Sequence, residues 1–180
     1  MRHLVLLSAA TIALAACGSP DADADGDGEI SMSEAAEISK DMVKPEPGKY
    51  RATVEMVDVE VPGAPKEVQD MMKQMISVGA QTHEYCLTKE AADKGFEEIA
   101  RQSQKNDDCS FEKFEADGGS IDAVMTCSQP GQGTARMTMK GTGSATASEM
   151  TMTMDAQAPD GNTMKMTMKS NQERIGDCDA

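Results

Sequence analysis

Asp23, Asp25 and Asp27 place three carboxylates at alternate positions of a glycine-containing stretch, and Glu34 follows shortly after. A hard cation such as calcium takes roughly six to eight oxygen ligands at ~2.3–2.6 Å, so a loop that wraps carboxylates around one point suits it. Gly28 stands where such a loop must turn sharply, a backbone conformation that most side chains resist. Glu29 would then offer its backbone carbonyl, Ser31 would act through a water, and Glu34 would close the ring with both oxygens. Beginning the frame at Asp21 would put Met32 in the closing position, where a thioether cannot serve a hard cation. The register is therefore Asp23 to Glu34.

These residues match the twelve-residue EF-hand loop, and the chain resembles the EF-hand family over this stretch alone. Behind the loop Ala35, Ile38 and Met42 recur at helical spacing, which predicts an exit helix ending before Pro45. Only Gly18, Ser19, Pro20, Asp21 and Ala22 separate Cys17 from Asp23, leaving no room for an entering helix, and no second complete loop follows. EF-hand loops usually pair, so a single half-hand is expected to bind calcium weakly, at ~10⁻⁴–10⁻³ M. The alternative for the same residues is an acidic, disordered tether that only confers solubility.

The chain starts with a basic residue, Arg2, an apolar run from Leu4 to Ala16 broken only by small or polar residues, and a small-residue end. That is the layout of a secretory signal, too short to span a bilayer. Leu14-Ala15-Ala16-Cys17 resembles the lipobox of bacterial lipoproteins, which implies cleavage after residue 16 and acylation of Cys17. Several acyl chains on one residue exceed the two hydrophobic signals that stable anchoring requires. Gly18 after the cysteine lacks the acidic retention signal of enteric inner-membrane lipoproteins, so the expected site is the periplasmic side of the envelope, with the outer membrane favoured.

Composition restricts the partners further. Against 31 acidic residues stand 17 Lys and Arg, a formal charge of -14, which excludes a nucleic-acid binder working by phosphate neutralisation. The 180 residues contain no Trp and three Phe but 16 Met, so methionine takes over packing that aromatics usually perform. Apart from Cys17, four cysteines remain: Cys86, Cys109, Cys127 and Cys178, an even set that predicts two disulfides in an exported protein. Of three possible connectivities, Cys86 with Cys109 and Cys127 with Cys178 is favoured, because each would staple neighbouring segments. None of the cysteines has the close CxxC spacing of a zinc or redox site.

Pro45-Glu46-Pro47-Gly48 punctuates the chain, and the main domain is placed after it. A strand from Tyr50 to Val61 changes parity after Met56, which predicts a bulge there or burial on both faces. Val68, Met71, Met72 and Met75 then define a helix ended by Gly79, and Thr88 caps a second one through Ala91, Ala92, Phe96, Ile99 and Ala100. From Cys109 the chain reads as a β-meander, in which Met137-Thr-Met139, Met150 to Met154 and Met164 to Met168 alternate strictly. Methionine on one face of these strands is expected to be the inner, packed face. A soft-metal site for Cu(I), or the lining of a small-molecule or lipid pocket, are the alternatives. His83 beside Glu84 could suggest acid–base work, but without a nucleophile beside it the pair does not define a catalytic site.

Pro47-Gly48-Lys49-Tyr50, Cys86-Leu87-Thr88, Asp108-Cys109, Met125-Thr126-Cys127, the Met/Thr strands and Asp177-Cys178 are together similar to a family of small bacterial periplasmic proteins and lipoproteins known only as a domain of unknown function. The resemblance spans Pro45 to Cys178 and implies no catalytic residues. The expectation is an α+β protein, an antiparallel meander with two or three short helices, disulfide-stapled behind a short EF-hand-like loop and helix. Its parts are a signal peptide (1–16), a lipidated tether (17–22), a calcium loop with exit helix (23–44) and a domain (45–180) that acts by binding rather than catalysis.

Overall fold

A computed structural model describes residues 22–76, 79–95, 109–129, 131 and 133–178. In chain order these form α1 (Met32–Ile38), a 3-10 turn (Ser39–Asp41), β1 (Gly48–Glu60), α2 (Lys66–Ile76), β2 (Gln81–Leu87) and α3 (residues 89–95). Five further strands follow: β3 (Cys109–Asp117), β4 (Ser120–Gln129), β5 (Gly133–Gly143), β6 (Ala147–Gln157) and β7 (Thr163–Gly176). The predicted signal peptide and Cys17 lie outside the described residues, as do Phe96, Ile99 and Ala100 of the second predicted helix.

All seven strands belong to one antiparallel sheet in the order β2-β1-β7-β6-β5-β4-β3. From β3 to β7 the chain is a plain meander, and β1 then inserts between β7 and β2. The bulge expected near Met56 is present: pairing with β7 shifts between Met56 and Asp58, leaving Val57 extra and restoring the apolar parity with Val59. Helix α2 follows the Pro62–Pro65 turn and packs on β1, and α3 is capped by the Thr88 hydroxyl, which accepts from the N–H of Ala91 at 3.2 Å.

Strand alternation sorts the sheet into two faces. Met56, Met168, Met152 and Met139 stand opposite one another across four strands, and Met166, Met154, Met137 and Met125 form a second row. The opposite face carries Thr, Lys, Arg and acidic residues in cross-strand pairs, including Arg136 with Glu112 at 2.9 Å and Lys113 with Asp122 at 3.1 Å. One hydrated face is what an antiparallel sheet tolerates.

The methionine face differs from its sequence expectation. These methionines are half-buried, not buried. The tightest packing lies at one edge, where Ile30, Met32 and Ala35 close on Phe111, Phe114 and Ala123, and only Met125 and Met139 of the rows touch that cluster. Phe111 is 1% exposed and meets Phe114 edge-on at 5.0 Å. Aromatics, though few, therefore mark the core better than the more numerous methionines.

The disulfides also correct the favoured pairing. Cys109 is bonded to Cys127 and Cys86 to Cys178. Register explains both bonds. Cys109 lies directly opposite Cys127 across β3 and β4, with Cα atoms 4.0 Å apart. Lys49 of β1 has Cys86 on one side and Gly176 on the other, so the insertion of β1 brings the end of β7 beside β2. Cys109 and Cys127 are also the nearest pair along the chain; what chain order conceals is Cys86 with Cys178, because the first strand of the sheet pairs with the last.

Candidate metal centre

The acidic loop is shaped by its own carboxylates accepting backbone N–H groups. Asp23 accepts from Gly26 at 2.7 Å and Asp27 at 3.2 Å through one oxygen, and from Gly28 at 2.8 Å through the other. Asp25 accepts from Asp27 at 3.2 Å, and Asp27 from Glu29 at 2.9 Å. Gly26 and Gly28 take the left-handed φ values of 74° and 92° that let the chain fold back around these groups. The outcome is that one oxygen from each of Asp23, Asp25 and Asp27 lies within 4.8 Å of the others. Hard anionic oxygens converging at such separations suit a divalent hard cation.

Glu34 closes the loop from the far end. One oxygen accepts from the N–H of Ala24 at 2.7 Å, across ten residues, and the other from the N–H and hydroxyl of Ser31, each at 2.8 Å. Ser31 in turn accepts from the N–H of Glu34, so the pair is also the capping box that starts α1. The Ser31-Met32-Ser33-Glu34 spacing carries that signal, which reading the stretch only as metal ligands passes over. Glu29 is exposed, and neither its carboxylate nor that of Glu34 belongs to the three-carboxylate cluster.

The charges respond to this geometry. The Ser31 N–H foremost, then the Ser31 hydroxyl and the Ala24 N–H, hold the Glu34 carboxyl below its ordinary range. At Asp25 the Asp27 N–H pulls downward, but desolvation, the charges of Asp27 and Glu34 and the hydrogen bond with Asp23 outweigh it, leaving that carboxyl raised. A carboxylate crowded by others gains most from a cation among them.

The loop is attached to the sheet by its eighth residue. Ile30 forms an isolated antiparallel bridge with Phe111 on the outer edge of β3, and its side chain is 7% exposed in the core. No pattern within the acidic loop announces a partner so far along the chain. The apolar Ile30 between two polar stretches is the only sequence signal. His83 and Glu84, the other chemistry-bearing pair, point to opposite faces of β2: His83 lies 6.0 Å from the Tyr85 ring, while Glu84 pairs with Lys49 and Arg51.

Over residues 45–178 the chain matches the model of a family described as "Protein of unknown function (DUF3617)". No curated protein and no solved structure matches it.

Proposed function

Because the chain belongs to the DUF3617 family of proteins of unknown function, we propose from its own residues that it is a non-enzymatic, lipid-anchored protein of the bacterial envelope. In this reading calcium binds in the loop Asp23–Glu34 and fastens the N-terminal segment to the sheet. Asp23, Asp25, Asp27 and Glu34 would hold the ion with side-chain oxygens, Glu29 with its carbonyl and Ser31 through water. The observation that carries this is the convergence of three carboxylates within 4.8 Å, in a loop that Glu34 closes from its last position.

The anchoring rests on the Leu14-Ala15-Ala16-Cys17 sequence, with the outer membrane favoured over the inner. Mass spectrometry of the N-terminal peptide tests it: a triacylated Cys17 is expected, and an unmodified thiol would refute it. Calorimetric titration of calcium into the full chain carrying Cys17→Ser tests the loop, beside the same chain with Glu34→Gln. Saturable heat that the second substitution abolishes is expected, and absence of heat up to millimolar calcium would refute the site.

A soft-metal role for the methionine rows is the second reading, favoured by their half-exposure on one face. Titration with Cu(I) against a competing chelator tests it, with stoichiometric transfer to the protein expected and retention by the chelator contradicting it.

A further inference from the structure

The segment that follows the acidic loop roofs an apolar cavity of about 320 Å³ at the end of the sheet opposite the Cys109–Cys127 bond. Met42 and Val43 form its roof, Ala91 of α3 one side, and Tyr50, Tyr85 and Ile121 its floor. The volume is that of a small-ligand site. Both phenols are hydrogen-bonded: Tyr50 donates to the Glu46 carbonyl at 2.8 Å, and Tyr85 to the side chain of Gln172, itself a lining residue, at 2.7 Å. The two rings stack at 5.8 Å, and with their hydroxyls engaged they present apolar surface.

The rim has one feature of opposite character. Lys44 lies between the lining residues Val43 and Pro45, and its ammonium donates at 3.3 Å to the carbonyl of Asp93, itself between the lining residues Ala91 and Gly95. The cation thus bridges the segment over the cavity and the helix beside it. Its recorded partner is a neutral carbonyl, while the Asp93 carboxylate is taken by Lys89 at 2.6 Å. Glu149 contributes to the lining from β6, but alternation assigns its side chain to the opposite face from Met150.

We propose that this cavity takes the hydrocarbon tail of a single-chain carboxylate amphiphile, a fatty acid, with the carboxylate against Lys44. An apolar cavity whose two flanking segments are spanned by the Lys44 ammonium, in a protein of net charge -14, selects an anion by that residue and a tail by the cavity. The inference rests on the reading that the domain acts by binding, and it does not depend on calcium.

Dodecanoate titrated calorimetrically into the full chain carrying Cys17→Ser, in calcium-free buffer, tests it. Absence of the chain's own acyl groups removes an internal competitor, and absence of calcium separates this outcome from that of the loop. One-to-one binding is expected, weakened at least tenfold by Ala91→Trp, which fills the chamber from an exposed helix position. Val43→Asp, on an exposed roof residue, supplies a second variant should the first not fold. Lys44→Met should abolish the preference for dodecanoate over dodecanol while leaving dodecanol binding unchanged. No saturable binding, or binding that these chamber variants leave intact, would overturn the site. Equal dodecanoate and dodecanol affinities in the unsubstituted protein would overturn the role of Lys44.

Discussion

Ile30 and Phe111 exchange both backbone hydrogen bonds, at 2.9 and 2.8 Å, across a gap of eighty-one residues. One is flanked by Glu29 and Ser31 of the acidic loop, and the other is the most deeply buried large side chain of the sheet. The loop is therefore seated on the outer strand of the sheet, covering an edge that would otherwise offer unpaired N–H and C=O groups. Anything that orders the loop also orders this edge.

Glu34→Gln separates the capping role of that residue from the calcium-ligating one proposed for it. Glutamine can still complete a capping box, so α1 should persist by circular dichroism. If Glu34 ligates as proposed, loss of its charge should weaken calcium binding by roughly a hundredfold or more, as calorimetry would record.

The pH dependence follows from the two perturbed carboxyls. Glu34 is depressed by the Ser31 and Ala24 hydrogen bonds, so its contribution to stability is present above the ordinary glutamate value of ~4.3 and is lost as pH falls through its lower folded value. Asp25 is raised, so without a cation its protonated form favours the fold, an effect lost as pH rises through its folded value. On the proposed reading, calcium must displace that proton. Affinity should consequently fall as pH drops from 7 toward ~4, while urea unfolding without calcium should show the loop's own stability declining only at lower pH.

Phe111→Ala should be the costliest single truncation at this edge, by about 3–5 kcal/mol in urea unfolding, since the ring is 1% exposed and packed against Phe114. The same substitution on the half-buried Met152 should cost less, because part of that side chain remains in solvent.

The two disulfides should differ in worth. Cys86–Cys178 joins residues separated by 92 positions and Cys109–Cys127 residues separated by 18. On the chain-entropy account, removing the first should cost roughly 4–5 kcal/mol and the second about 3, measured by denaturant unfolding of the Cys→Ser pairs.

Strand periodicity made much of the sheet legible in advance. Methionine alternation in β5, β6 and β7 and the parity change at Met56 each correspond to the register found. What stayed hidden was non-local. That β1 lies between β7 and β2, and with it the pairing of Cys86 to Cys178, depends on contacts between the two ends of the domain that no local pattern encodes. The same holds for the core. The helical spacing of Ala35 was legible, but that Ile30, Met32 and Ala35 pack on Phe111 and Phe114 was not. Within the loop the bonds of Asp23 to Gly26 and Gly28 and of Ser31 to Glu34 run between near neighbours, whereas the Ile30–Phe111 bridge that seats it does not.

Amide hydrogen exchange at Ile30 and Phe111, with and without ~10 mM calcium, well above the ~10⁻⁴–10⁻³ M expected for such a site, tests the calcium clamp most directly. These two N–H groups form the bridge itself. Exchange at both slowed at least tenfold by calcium, and not slowed in Glu34→Gln, is the predicted result. Equal rates with and without calcium in the unsubstituted protein would contradict the claim that the ion fastens the loop to the sheet.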